Sequence, residues 1–316
     1  MSARFVAQRL LHGGLVLWIV ATAVFFLFRV IPGDPAAMTL GFDAPPQALA
    51  ALRAEMGLDK PLHVQYATWL FNLMRWDLGR SATSGNAPVA GLVFPSLWRT
   101  LELASLSMLV AISIALPLGM LSALRVGSAI DQLARVVTTI GFSMPTYVLG
   151  IAALLVFAEM IPLLPSAGYV PPGEDLALHI KYLILPAASV GLVMAARLAR
   201  FMRAGMLDVL SQDYVRTAYA KGLPGWRVNA RHALPNAILA FVTEVGVNFG
   251  LLIGGMVVIE QVFTWPGLGW LMIQSTLNRA YDVVQIAVLI SAAAFVIVNL
   301  LVDLSYGVMD PRIAYE

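Results

Sequence analysis

Cysteine is absent from this 316-residue chain, so disulfides and thiolate metal sites are excluded. Charge is scarce: Asp, Glu, Lys and Arg make up 12% of the residues, against about 25% in a soluble globular domain. No Gly-Lys dipeptide occurs, which removes the phosphate-cradling P-loop and with it any P-loop ATPase activity of the chain itself. There is no His-Glu-x-x-His and no Gly-x-Ser-x-Gly, so an intramembrane hydrolase has no motif to stand on. The four histidines, at positions 12, 63, 179 and 232, are scattered and form no ligand pair. Neither an internal repeat nor a low-complexity tract interrupts the sequence.

What the chain has in abundance is apolar surface. Hydrophobic residues make up 59% and the mean hydropathy is +0.81. That composition suits a lipid-facing exterior. The isoelectric point of about 9.0 invites a nucleic-acid reading. The net charge is only +2, however, and the bases cluster beside apolar runs. Spanning a bilayer takes about 20 apolar residues in a helix. Leu10–Phe28, Leu103–Leu124, Val136–Ala158 and Val283–Val302 meet that length, the second carrying Pro117 and the third Pro145. Tyr182–Ala196 and Val245–Ile259 are shorter, with 15 uncharged residues each. They reach spanning length if Arg197 snorkels and Glu244 faces the protein interior. Six spans are expected. The first resembles a signal peptide, but it is longer than the usual ~7–15-residue apolar region and lacks a small-x-small cleavage site, so a retained anchor is expected.

Basic residues set the orientation. With the N-terminus inside, the inner segments hold Arg4, Arg9, Arg125, Arg135, seven bases between 197 and 231, and Arg312, twelve in all. The short outer loops hold two, Lys181 and Arg279. The stretch 31–99 is too long for the rule and is left out. Both termini are expected in the cytoplasm.

The long outer stretch is patterned. Gln47–Met56 reads as a helix ended by Gly57. His63–Met74 reads as a second, with Leu62, Tyr66, Trp69, Leu70 and Leu73 at helical spacing. Trp69 and Trp76 suit the lipid–water boundary. This segment is either an amphipathic cap or a docking surface for an extracytoplasmic partner. Residues 159–181 carry four prolines and read as an irregular outer loop. In 260–282 the run Trp265-Pro266-Gly267-Leu268-Gly269 breaks any helix, and Gly269–Asn278 reads as a short outer helix.

The stretch 197–236 is a charged island, with seven basic residues and only Asp208 and Asp213 as acids. Ser211 or Asp213 is placed to cap a helix over Gln212–Lys221. Gly222 sits where a left-handed terminal residue is wanted, and Pro224 prevents continuation. A second piece near Trp226–Ala233 leads into the fifth span. A short exposed helix on the cytoplasmic face is a suitable mechanical contact for a soluble partner.

Buried charge marks a second candidate region. Glu244 lies in an apolar run, with Asn248 one turn on. It either lines a pathway or holds a proton, or it is satisfied by a neighbouring helix or by Asn248. Glu102 and Arg99 are expected to pair at the outer end of the second span.

These residues resemble a known family. Tyr214-Val215-Arg216-Thr217-Ala218 followed by Ala220-Lys221-Gly222, then His232-Ala233-Leu234 and Asn236-Ala237, looks like the EAA loop of permease subunits of ABC importers. The similarity is to the B-type subunit of the dipeptide/oligopeptide/nickel family. Pro32-Gly33-Asp34-Pro35, Gly57-Leu58-Asp59-Lys60-Pro61, Asp77-Leu78-Gly79, Gly141-x-Ser143-x-Pro145, Glu260-x-x-Phe263-x-Trp265-Pro266-Gly267-Leu268-Gly269 and Asp310-Pro311-Arg312 follow in the family's order.

The resemblance implies an all-α, polytopic membrane protein of the type I importer permease fold (MetI-like), with six transmembrane helices and cytoplasmic termini. Residues 1–99 would hold the first span and a long extracytoplasmic helical segment. Residues 100–316 would hold a five-helix core, with 197–236 as the cytoplasmic coupling loop. Tyr214, Arg216, Thr217, Ala218, Lys221 and Gly222 would contact the ATPase, and Glu244 and Asn248 are candidates for the translocation path. The implied partners are a homologous second permease, two cytoplasmic ATPase subunits that carry ATP and Mg, and an extracytoplasmic solute-binding protein. No cofactor is expected on this chain. The implied solute is a di- or oligopeptide, with a nickel chelate or glutathione as alternatives within the family. The alternative from another class is an ion-coupled secondary transporter using Glu244. Such folds usually carry internal repeats.

Overall fold

A computed structural model describes residues 3–30, 36–37, 44–55, 57–81, 83 and 85–309. The motifs at Pro32–Pro35 and Asp310–Arg312 lie outside the described residues. Helix α1 (Ala3–Val30) is followed by α2 (Pro46–Glu55), α3 (Leu62–Met74) and a two-stranded antiparallel ladder, β1 (Arg80–Ser81) with β2 (Ala87–Pro88). Then come α4 (Val89–Leu124), α5 (Ala129–Ser143), α6 (Thr146–Leu154) with a wider π-helical turn over Leu155–Met160, and α7 (Leu176–Leu210). The charged segment forms α8 (Asp213–Ala220), α9 (Gly225–Val228) and a π-helical turn, Asn229–Ala233. The chain closes with α10 (Leu234–Gly255), α11 (Val257–Val262), α12 (Leu268–Leu277) and α13 (Tyr281–Met309).

Five of these stretches are long and apolar enough to cross a membrane: Val6–Val30, Val89–Leu124, Leu176–Leu210, Gly225–Gly255 and Tyr281–Leu304. The third expected span, Val136–Ala158, falls on a bent helix pair that brings the number to six if the pair is one span. Helices α5 and α6 meet at an angle of 96°. The break sits at Pro145, which has no N–H to donate, and Met144 before it takes the extended conformation (φ −90°, ψ 125°) that a residue preceding proline prefers. The fourth expected span is longer than its uncharged run. Helix α7 continues through Arg197, Arg200 and Arg203 to Leu210, 35 residues in all, because nothing in that stretch breaks a helix.

The most extensive packing joins α4 to α7. In lipid no hydrophobic effect drives helices together, so close approach of small residues does the work. On α4 the buried positions Ala104, Ser107, Ala111, Ala115, Gly119 and Ser122 recur at three- and four-residue spacing. A Cβ on Gly119 would stand 2.6 Å from the Ala199 carbonyl oxygen, and one on Gly191 would stand 2.8 Å from that of Ser107. The backbones are thus in contact at two levels. Leu103, Leu198, Met202, Met206 and Trp265 fill the core around the seam. Large apolar side chains elsewhere point outward, including Leu27, Leu109 and Leu133, as a lipid-facing surface requires.

Helix α1 packs on α13, joined by an ion pair from Arg9 to Asp303 at 3.1 Å. Helix α3 lies against α1. The Tyr66 ring stacks on Phe26, its hydroxyl is 2.7 Å from Thr22 Oγ1, and Trp69 packs on Phe25. The stripe that includes Tyr66 and Trp69 therefore docks on the first span, while Trp76 stays 75% exposed.

Candidate coupling surface and polar clusters

Helix α8 is fixed at both ends by backbone geometry. Neither Ser211 nor Asp213 caps it. Ser211 is still in the helical conformation (φ −79°, ψ −12°) that closes α7, and its hydroxyl donates to the Asp208 carbonyl. The extended residue that a cap requires is Gln212 (φ −74°, ψ 148°), whose side chain makes no capping bond. Asp213 is the first helical residue, where its charge complements the positive end of the helix dipole. The C-terminal end is as expected. Gly222 has φ 76°, its N–H donates to the Tyr219 carbonyl, and the Leu223 N–H donates to that of Ala218. This is the paired Schellman closure, which glycine enters without a Cβ penalty.

One face of α8 anchors it. Val215, Ala218 and Val228 are buried together, with Val209, Leu210 and Leu223 packed around them. The small helix is thereby locked to the last turn of α7 and to α9. The opposite face is open. Tyr214, Arg216, Thr217, Lys221 and Gly222 are all exposed. Of the six residues expected at the coupling contact, Ala218 alone is buried, and it serves the anchor. Arg216 approaches Asp213 at 3.6 Å, but both side chains are largely in solvent, so this pair holds little. Trp226, which the sequence places only at the start of a helical piece, lies on the surface. It is 69% exposed, with the Arg227 guanidinium 5.3 Å from its ring. A large exposed aromatic beside a base is a side chain of the kind enriched at protein contacts.

Glu244 and Asn248 are brought together on α10. Asn248 Nδ2 donates to Glu244 Oε1 at 2.8 Å and to the Glu244 carbonyl at 2.7 Å. Arg197 Nε on α7 lies 3.9 Å from the carboxylate. The charge is satisfied by a neighbour one turn on and a cation on the adjacent helix. Asn248 is 1% exposed, and its Oδ1 has no hydrogen-bond partner among the described residues.

The expected Arg99–Glu102 pair does not form. Glu102 Oε1 instead meets His179 Nε2 at 2.8 Å. Arg99 donates to the Pro266 carbonyl and lies over the Tyr169 ring at 4.8 Å. The buried His179 on α7 offers Glu102 a better-shielded partner than an arginine drawn toward an acceptor and a ring face.

A second polar knot lies nearby. Glu260 is fully buried. Its Oε1 accepts from Thr100 at 2.6 Å, and its Oε2 accepts from the Trp270 N–H at 2.9 Å. Thr100 in turn accepts from the Leu268 N–H at 2.8 Å, and Trp265 Nε1 donates to the Arg99 carbonyl at 3.0 Å. Burial pushes the Glu260 carboxyl above the ordinary carboxylate range, against the pull of the Thr100 hydroxyl and the amides of Trp270 and Gly269. A Cβ on Gly267 would collide with this carboxylate. The Trp-Pro-Gly turn and the start of α12 at Leu268-Gly269 are therefore wrapped around a buried acid and tied to α4.

No group of three or more His, Asp or Glu side chains placed to hold a metal occurs among the described residues. What the chain offers is a short helix anchored on one face and open on the other at one end, and hydrogen-bonded polar knots within and at the other end of the bundle.

Comparison with known proteins agrees along the whole length. Residues 2–115 match the family described as the N-terminal part of binding-protein-dependent transport system membrane components. Residues 115–315 match the binding-protein-dependent transport system inner membrane component family. A probable peptide ABC transporter permease protein of Sinorhizobium fredii is 37% identical over 98% of this chain and 99% of its own. A putative peptide transport system permease protein of Brucella melitensis is 39% identical over the full length of both. The glutathione transport system permease protein of Salmonella paratyphi A is 37% identical over 99% of each chain. Among solved structures, an inward-facing MetNI methionine ABC transporter chain superposes with a TM-score of 0.55 at 18% identity, covering 71% of this chain and 98% of that one. That likeness concerns the fold alone.

Proposed function

The chain belongs to the inner-membrane components of binding-protein-dependent transport systems, and from that premise we propose that it forms half of the translocation path of an ATP-driven importer for di- or oligopeptides. It is a multi-pass inner-membrane protein, and the ion-coupled alternative falls away with the family assignment. The peptide reading is supported by the names of its full-length relatives. Glutathione, itself a short peptide, is the second reading, favoured by the Salmonella relative.

The observation that carries the mechanism is α8: exposed on one face and locked to α7 and α9 on the other. The energy enters through contact. Two cytoplasmic ATPase subunits close on ATP and grip the exposed face of α8 through Tyr214, Arg216, Thr217, Lys221 and Trp226. The anchored face passes the movement to α7 and α10, and a homologous second permease moves in the same way. The path opens outward to receive solute from the extracytoplasmic binding protein, and hydrolysis returns it. Both termini and α8 face the cytoplasm in this account, consistent with the bias of basic residues.

The test is uptake by proteoliposomes holding the complete complex and its binding protein. Labelled dipeptide should accumulate with ATP and should not do so with a proton gradient alone. Competition by unlabelled glutathione separates the two solute readings. Accumulation driven by the gradient without ATP would overturn the proposal.

A further inference from the structure

Asp131 is 1% exposed and stands at the first turn of α5. Its carboxylate gathers three parts of the chain. Oδ1 accepts from Arg203 Nε at 2.8 Å and from Ser122 Oγ at 2.5 Å. Oδ2 accepts from Arg203 Nη2 at 3.2 Å and from the Gly127 N–H at 3.0 Å. Arg203 Nε is also 3.0 Å from Ser122 Oγ. The end of α4, the α4–α5 turn and α7 therefore meet at one acid. Arg135, one turn along α5, lies 3.6 Å from the same carboxylate, but its side chain is 56% exposed.

The rest of α5 meets α7 without hydrogen bonds: a Cβ on Gly141 would stand 2.9 Å from the Ala196 Cβ, and the Arg200 guanidinium lies 5.2 Å from the Phe142 ring of α5. The buried residues of α5 are Asp131, Ala134 and Thr138, a narrow stripe on one face, while Leu133, Val136, Val137 and Ile140 on the others are exposed. Of the three buried side chains, only Asp131 makes a directional bond to another helix. Ala134 contributes none, and Thr138 bonds within its own helix, to the Arg135 carbonyl. The helix then bends by 96° into α6. Arg203 lies two turns before the end of α7, whose last residues pack on α8. A helix transmits displacement along its axis as a rigid body, so α8, the end of α7 and Arg203 move together. A two-point guanidinium–carboxylate fork resists rotation as well as separation.

We infer that the Asp131–Arg203 fork is the link through which movement of α8 and α7 is passed to the bent α5–α6 arm, making both residues positioning residues for the transport step. The inference rests on the function proposed above. It differs from a merely stabilising role in one measurable respect: weakening the fork lowers solute moved per ATP hydrolysed, with assembly intact.

The experiment measures dipeptide uptake and ATP hydrolysis together in proteoliposomes of the complete complex. Arg203→Lys keeps the buried charge paired but replaces the fork by a single point. Asp131→Asn keeps one acceptor and loses the other. Both variants should assemble with their partners and hydrolyse ATP at a rate within about twofold of the wild type. Their uptake per ATP should fall by about tenfold. A wild-type ratio in both variants overturns the inference. So does failure of Arg203→Lys to assemble, because the pair would then serve folding. The wild-type complex in the same assay reports on the proposed function separately, since loss of ATP-driven uptake there leaves no coupling to assign.

Discussion

Thr100 and Glu260 lie 160 residues apart in the chain and are joined by a buried hydrogen bond of 2.6 Å. The same hydroxyl accepts from the Leu268 N–H, so one side chain on α4 holds both the acid and the loop that surrounds it. Thr100→Val keeps the shape and removes both bonds. Leaving a buried polar group without its partner costs about 1–3 kcal/mol. The melting temperature of the detergent-solubilised complex should drop clearly for Thr100→Val and little for Thr100→Ser. Equal melting temperatures for the wild type and Thr100→Val would remove the knot from the account.

The Glu260 carboxyl gives a pH signature. Its folded pKa is raised above the unfolded value, with burial the largest cause. Its stabilising contribution is therefore fully present below the unfolded carboxylate range of about 4.3 and is lost as pH rises through the folded value. Gln at this position does not titrate. The stability difference between the wild type and Glu260→Gln should favour the wild type most at low pH and move toward the variant as pH rises. Denaturation curves across that window provide the check, and a pH-independent difference would contradict the shift.

Gly222 closes α8 in the left-handed conformation, and the space beside it is open, with nothing within 4 Å of a Cβ. A β-branched residue there is strained by about 1–2 kcal/mol, and its bulk would project into the open space where the proposed ATPase contact lies. Gly222→Val should reach the membrane and lose most uptake, while Gly222→Asn, which tolerates this backbone, should retain more. Membrane abundance and uptake measured side by side decide it. Normal uptake by Gly222→Val would withdraw the coupling role of the helix end.

Glu244 is held by Asn248 and faces Arg197. Gln preserves its size and a hydrogen bond to Asn248 while removing ionisation. Glu244→Gln should keep ATP-driven uptake within a few-fold of the wild type. Glu244→Arg sets like charge against Arg197 and should lower assembly or uptake by more than tenfold. Abolished uptake in Glu244→Gln, with assembly intact, would reinstate an obligatory proton at this site.

Features written in short stretches of sequence were legible. The stop after α8 follows from Gly222 and Pro224 alone, and the structure places the left-handed residue there. The stripe that seats α3 follows from helical spacing. Proline was an ambiguous signal. Pro117 and Pro186 lie inside helices that run on, whereas Pro145 breaks its span. Helices α4 and α7 are packed tightly against each other, while α5 is held along one narrow stripe, and that difference is tertiary. Pairings across the chain were equally hidden. Glu102 meets His179 at a separation of 77 residues, and Asp131 meets Arg203 at 72. Spacing along the sequence favoured Arg99 as the partner of Glu102 because only local neighbours are visible there. The cap of α8 was missed for a related reason: Ser211 has the right chemistry, but its backbone still belongs to α7.

The central claim is that the open face of α8 receives the force of a cytoplasmic ATPase. A photo-crosslinking residue replacing Arg216, activated in membranes that hold the complete complex, reports the neighbour of that face directly. The account predicts an adduct with the ATPase subunit, stronger with ATP bound. An adduct with the extracytoplasmic binding protein, or none with the ATPase in either nucleotide state, would contradict it.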